Sequence, residues 1–84
     1  MGYYIITFRS VTPAQRGESV LRQTGFLCSL QRTPRWMEAQ GCGYSIRINS
    51  DRIKDAIQVL QQRKIPFRKV YRTDEKGSAE EISL

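Results

Sequence analysis

The hydrophobic pattern of this 84-residue chain predicts the same unit twice in succession: a strand, a helix and a second strand. Eighty-four residues suffice for a single modest core, so both strand–helix–strand units must share it. Two such units fold most simply as an antiparallel sheet with both helices on one face. The sequence therefore predicts an α+β, ferredoxin-like βαββαβ domain over 1–72, with four strands in the order 4-1-3-2. The predicted strands are 3–9, 26–32, 44–49 and 67–72.

Capping residues mark the ends of both predicted helices. Thr12 supplies an N-cap oxygen, Pro13 suits the first helical position and Gln15 completes a capping box. Gly25 is the expected stop of the first helix, and Ser50 caps the second. The apolar periodicity predicts one core that contains Ile5 or Ile6 together with Ile46, Ile48, Ile53, Ile57 and Leu60.

Charge is distributed unevenly along the chain, whose net charge is +6. Residues 1–72 contain 13 bases and 4 acids, whereas residues 73–84 contain 1 base and 4 acids. The last segment is predicted to be an acidic flexible C-terminal tail. The basic body favours an anionic partner, although a solvated basic surface is the simpler explanation. No apolar run is long enough to span a membrane and no signal peptide is evident, so we expect a cytoplasmic protein with no membrane association.

The chain has two cysteines and no histidine. A histidine-containing zinc site, a Cys-His nucleophile pair and a Ser-His-Asp triad are therefore excluded, and we expect no metal and no cofactor. Cys28 alternates with Phe26 and Leu30, which predicts a buried thiol in the core. Hairpin pairing would put Cys28 opposite Arg47, on the order of 16 Å from Cys42. That separation is too large for a disulfide, so both thiols are expected to be free.

Cys42 lies between Gly41 and Gly43 at the end of the loop 33–43, just before a predicted strand. Flanking glycines leave a thiol sterically open and let the backbone direct N–H groups towards an anion. Arg35 is in the same loop, and a nearby positive charge lowers the pKa of a thiol. The segment therefore indicates an exposed thiolate, or, as the alternative, a flexible turn in which a cysteine is tolerated.

The stretches "YYIITFRSVTPAQRGESVLR", "TPR" and "CGYSIRI" together resemble the selenium/sulfur carrier-like family of bacteria. The resemblance covers roughly the first 72 residues. It implies that Cys42 is the carrier thiol, beside Gly43, with Thr33, Pro34 and Arg35 in the loop that faces it. It also implies sulfur or selenium donor and acceptor proteins as partners, and a carrier or binding protein in preference to a classical enzyme.

Two other functions remain open from the sequence. A ferredoxin-like sheet with a basic open face is the plan of an RNA-binding module, in which bases stack on aromatic residues of the central strands. Tyr3 or Tyr4 and Tyr44 are on those strands. A regulatory module that buries the same face in a homodimer is the other alternative. The expected nucleic-acid contacts are Arg47, Arg68 and Arg72.

Overall fold

The computed structural model describes residues 2–33, 43–49, 52–74 and 79–82. Its elements form one antiparallel sheet in the order β2-β3-β1-β4-β5, together with two helices. The elements in chain order are β1 (Tyr3–Phe8), α1 (Val11–Gln23), β2 (Cys28–Arg32), β3 (Tyr44–Ile48), α2 (Ile53–Gln62), β4 (Val70–Thr73) and β5 (Ala79–Ile82).

The first four strands have the predicted order, but the prediction of a four-stranded βαββαβ sheet is wrong because β5 adds a fifth strand beyond β4. Arg72 is paired with Glu80 across these two strands, and the Lys69 Nζ lies 3.4 Å from a Glu81 carboxylate oxygen. Opposite charges on neighbouring strands favour their pairing. Part of the predicted acidic tail thus contributes a strand that pairs with β4. The predicted domain boundary at residue 72 stays a prediction.

The core lies between one face of the sheet and the two helices. Ile6 and Phe8 of β1 alternate with residues of the opposite face, and they share one buried cluster with Ala14 and Leu21 of α1. The predicted core is confirmed, with Ile6 as its β1 member, since Ile5 lies on the other face. The remaining members of this cluster include Ile46, Ile48, Ile53, Ala56, Ile57 and Leu60.

At Gly17, α1 packs closely against the rest of the core. A Cβ at this residue would lie 3.2 Å from Ile46 Cδ1, 3.2 Å from Leu60 Cδ2 and 3.3 Å from Phe8 Cζ. These distances are shorter than ordinary van der Waals contacts between carbons. The absence of a side chain therefore lets α1 pack simultaneously on β1, β3 and α2.

The two helices end in the same way. At the end of α1, Gly25 has a φ of 97°, and the Phe26 N–H donates to the Leu21 carbonyl at 2.9 Å. At the end of α2, Lys64 has a φ of 57°, and the Ile65 N–H donates to the Leu60 carbonyl at 2.9 Å. Both are Schellman-type ends with a left-handed residue after the C-cap, so the predicted stop at Gly25 is confirmed.

The predicted helix starts differ from the structure. Helix α1 begins at Val11, and Ser10, which has extended backbone angles, is its N-cap in place of Thr12. Pro13 consequently lies two positions beyond the first helical residue, where its missing N–H still costs no intrahelical hydrogen bond. Helix α2 has Arg52 as its N-cap. Ser50, the predicted cap, lies outside the described residues.

Strand β4 begins three residues later than predicted because of an irregularity opposite Thr7. The Arg68 N–H donates to the Thr7 carbonyl at 2.7 Å, and the Thr7 N–H donates to the Lys69 carbonyl at 2.8 Å. The Lys69 N–H donates to the Thr7 hydroxyl at 3.0 Å. Two residues of one strand thus face one residue of the other, which is the arrangement of a β-bulge.

Candidate functional site

The predicted site residues lie on the hairpin between β2 and β3. Pro34, Arg35, Gly41 and Cys42 fall outside the residues that the structure describes. The two ends of this hairpin are described, and there the Thr33 N–H donates to the Gly43 carbonyl at 3.0 Å. Thr33 and Gly43 therefore continue the β2–β3 pairing by one further pair. The structure brings these two predicted residues together, and Cys42 directly precedes one of them in the sequence.

Buried hydroxyl groups lie next to this last pair. Thr33 is 8% exposed, and Ser45 is fully buried opposite Gln31 and Thr7 on the face away from the helices. In the described part of the chain, the hydroxyls of both residues lack a hydrogen-bond partner. A buried hydroxyl without a partner is costly, so such groups call for an explanation. The sequence analysis did not select Ser45, although its place in the alternating third strand was the available signal.

A basic cavity opens at the same end of the sheet. Arg9 follows β1, whose last residue is paired with Tyr44, and Arg68 and Lys69 precede β4. These three cations line a cavity of about 540 Å³ that also borders Ser10 at the start of α1. In the first turn of this helix there is no acidic residue. Positive charge and a helix N-terminus therefore face the cavity together, as suits an anionic group of a partner.

Cys28 lies at the opposite end of the sheet and packs against the core as the alternation predicted, but it is half-buried where the prediction was a buried thiol. It is paired with Ile48, one residue beyond the expected Arg47, and Ile48 is five residues along β3 from Gly43. At about 3.3 Å per residue the two ends are on the order of 16 Å apart. Cys28 is a free thiol. It lines a cavity of about 640 Å³ with Arg22 and Arg47.

The environment of Cys28 favours the neutral thiol. Burial raises the pKa of Cys28 above its ordinary value, and the negative charge of Glu18 acts in the same direction. A hydrogen bond from Arg22 and the charge of its guanidinium oppose this increase in pKa. Because the thiolate is the nucleophilic form, Cys28 is poorly suited to be the reactive cysteine near neutral pH.

The aromatic residues expected on an open sheet face are divided between its two sides. Tyr4 and Tyr44 pack against the helix-side core. Tyr3 lies on the other face, where the Arg47 guanidinium carbon is 3.9 Å from the centre of its ring. Ile5, on the same face, is 2% exposed within the single chain. The central strands therefore do not present the predicted tyrosines together as a platform for stacking bases.

Two further properties concern membranes and metals. Within the described ranges, neither helix combines the length and the apolar composition needed to cross a membrane. Nor does this part of the chain contain a group of three or more cysteine, aspartate or glutamate residues that could hold a metal ion.

Comparison with known proteins identifies a family. Residues 3–72 match the sequence model of the family described as Putative Se/S carrier protein-like. This stretch contains β1 to β3, both helices and the hairpin with Cys42. No curated protein and no solved structure matches the chain.

Proposed function

Because the chain belongs to the Putative Se/S carrier protein-like family, we propose that it carries sulfur or selenium on the thiol of Cys42. The observation that carries this proposal is the match over residues 3–72, which includes the whole β2–β3 hairpin. Cys28 is the other cysteine of the chain, and partial burial raises the pKa of its thiol, which leaves Cys42 as the better candidate.

The reaction needs one exposed thiolate and no external oxidant. The Cys42 thiolate attacks the terminal sulfur of a donor persulfide, and a new S–S bond forms as the donor's S–S bond breaks. The donor sulfur leaves as a thiolate and takes up a proton, while Cys42 keeps the transferred sulfur as a persulfide. Attack by an acceptor thiol on that terminal sulfur reverses these steps. A selenium atom would be carried in the same way, as a selenosulfide.

Groups near the hairpin support an anion at Cys42. The buried hydroxyls of Thr33 and Ser45 are hydrogen-bond donors at the base of the hairpin. Arg35 adds a positive charge in the same loop, and the two neighbours of Cys42 in the sequence, Gly41 and Gly43, have no side chains. A thiolate or persulfide anion is stabilised by donors and positive charge, which lower the pKa of the carrying thiol.

The basic cavity supports docking of acidic donor and acceptor proteins. Arg9, Arg68 and Lys69 lie at the end of the sheet from which the hairpin extends. Charges of opposite sign on a partner would orient its reactive sulfur towards Cys42 and would accelerate association. Because Lys69 also contacts Glu81, the C-terminal strand forms one border of this positively charged region.

Intact-mass measurement tests the carrier function. The variant Cys28→Ser is treated with a small-molecule persulfide and should gain one sulfur atom, which a reductant removes. The matched variant Cys42→Ser, in which Cys28 remains, should gain none under the same conditions because its thiol stays protonated. Addition on Cys28 alone, or on neither cysteine, is the result that contradicts the proposal.

Alkylation kinetics test the thiolate directly. Iodoacetamide at neutral pH should label Cys42 faster than Cys28, and Arg35→Ala should slow the labelling of Cys42 by removing a positive charge. Arg52→Ala is the control, since Arg52 lies at the other end of the sheet, before α2. Equal rates for the two cysteines, or equal effects of the two arginine variants, would leave the segment Gly41 to Gly43 as a plain turn.

A further inference from the structure

Strand β2 is one edge of the sheet, and helix α1 covers part of its free side. In the pairing with β3, Thr33 is hydrogen-bonded to Gly43, so the alternation directs the backbone groups of Cys28, Leu30 and Arg32 away from β3. Exposed backbone groups of this kind pair readily with another strand. Two of them already have side-chain partners.

Those partners are Glu18 and Arg22, one turn apart on α1. The Leu30 N–H donates to the Glu18 Oε2 at 2.7 Å, and an Arg22 Nη2 donates to the Cys28 carbonyl at 3.1 Å. The two side chains also form an ion pair, with 3.6 Å between Nη2 and Oε2. The Glu18 carboxylate thus accepts from the N–H on one side of Ser29, and the Arg22 guanidinium donates to the C=O on the other side. On an antiparallel neighbouring strand, the backbone of that strand would supply one acceptor and one donor to the same two groups.

We propose that the Glu18–Arg22 pair blocks the free edge of β2, and we call this pair the latch. The latch is open when both side chains have left the backbone groups of β2, and a second copy of this chain then pairs with β2. The pair occupies the hydrogen-bonding positions that an incoming strand needs. With the latch closed, self-association through β2 loses both of these bonds. With the latch open, the edge presents all the outward groups of Cys28, Leu30 and Arg32.

The side chains of β2 favour a second copy as the occupant. Antiparallel pairing centred on Leu30 would place the two Leu30 side chains next to each other and Cys28 beside Arg32. Leu30 is half-buried and packs against the helix-side core, in the same row as Ile46 and Ile6. A dimer of this register therefore extends one apolar row from copy to copy. Leu27, at the start of this edge, is 83% exposed, as suits a surface that another chain covers.

Sedimentation velocity of the double variant Glu18→Ala/Arg22→Ala tests the latch. Alanine keeps α1 helical, so the change removes the two side chains with little loss of helix propensity. The dissociation constant of the dimer should fall at least about tenfold relative to the unmodified chain. The control is Arg52→Ala/Asp55→Ala, which removes an exposed ion pair of 3.2 Å at α2 without a change in net charge and should leave self-association unchanged.

A third substitution identifies the edge. Arg32→Pro removes an outward N–H from β2 but no hydrogen bond to β3, so added to the double variant it should restore the monomer. If the double variant does not fold, Arg22→Ala alone, which leaves Leu30 bonded to Glu18, should give a smaller increase in dimer formation. A folded double variant that remains as monomeric as the unmodified chain overturns the proposal, and so does a dimer that persists with Arg32→Pro.

Discussion

The Cys28 thiol lies between two charged side chains with opposite effects on its ionisation. Burial and Glu18 raise its pKa, whereas Arg22 lowers it. The Cys28 Sγ is 3.8 Å from the Glu18 carbonyl, which accepts a hydrogen bond from the thiol but not from the thiolate. The sequence predicted the burial of Cys28 from its alternation with Phe26 and Leu30, but it did not contain the positions of Glu18 and Arg22. Those positions follow from the packing of α1 beside β2.

At the residue scale, we expect the pKa of the Cys28 thiol to lie above that of a cysteine in the unfolded chain. In the background Cys42→Ser, the pH at half-maximal thiolate absorbance measures this value. Arg22→Gln should raise the midpoint further, since it removes both the hydrogen bond and the positive charge that favour the thiolate. Arg52→Gln is the matched control. A midpoint at or below that of the denatured protein, or one that is unchanged in Arg22→Gln, would contradict the described surroundings of the thiol.

The same pKa has a consequence for stability. The folded protein holds the thiol proton more tightly than the unfolded chain, so this contribution is complete below the unfolded pKa. It is lost as the pH rises through the higher folded pKa. In the background Cys42→Ser, the free energy of unfolding should therefore decrease at alkaline pH. This decrease should be smaller when Cys28 is also replaced, as Cys28→Ala.

At the scale of elements, the ends of α1 and α2 use one backbone conformation with two different residues. Gly25 adopts the left-handed conformation without steric cost, whereas Lys64 adopts it with a Cβ in an unfavourable position. The sequence predicted the first end, because glycine is a recognisable signal. It also placed the second end near Lys64, but it did not reveal the left-handed conformation there, because a lysine gives no such signal and the turn depends on the burial of Ile65 in the core.

This difference predicts opposite effects of two exchanges. Lys64→Gly should raise the free energy of unfolding by about 1 kcal/mol, since the strain at the left-handed residue is relieved. Gly25→Lys should lower it by a similar amount, with no contribution from crowding because the space around Gly25 is open. Urea denaturation measures both. Destabilisation by Lys64→Gly would show that the gain in unfolded-state entropy outweighs the relieved strain.

At the scale of the whole molecule, the core is formed from positions that the sequence pattern selected and that the sheet brings together. Ile57 of α2 is 4% exposed in the cluster shared by both helices and the sheet. Ile57→Ala should lower the free energy of unfolding by about 2–4 kcal/mol, through lost burial and the cavity that remains. The neighbouring exposed position provides the control, and Gln58→Ala should change the unfolding free energy by less than about 0.5 kcal/mol. Equal thermal stability of the two variants would remove Ile57 from the core.

The predicted and the missed parts of the fold differ in what determines them. Alternation over 44–48 and helical spacing over 53–60 reflect burial within one element, so the sequence predicted them correctly. Strand β5 depends on pairing of Glu80 and Glu81 with residues of β4, and a single acidic segment does not reveal that partner. For the candidate site, the sequence selected Thr33 and Gly43 but not their hydrogen bond to each other, and the buried hydroxyl of Ser45 and the cavity beside Arg9 likewise arise only when the strands are assembled.

The contact at Gly17 limits how relatives of this chain can change. Three side chains from three elements, Ile46, Leu60 and Phe8, share the volume that a methyl group at position 17 would need. An alanine there is accommodated when one of these neighbours is shortened, for example by Ile46→Val, because close-packed interiors tolerate exchanges that conserve total volume. Positions 8, 17, 46 and 60 therefore form a set whose members are expected to vary together during evolution, because a Cβ at position 17 requires its neighbours to move by a few tenths of an ångström.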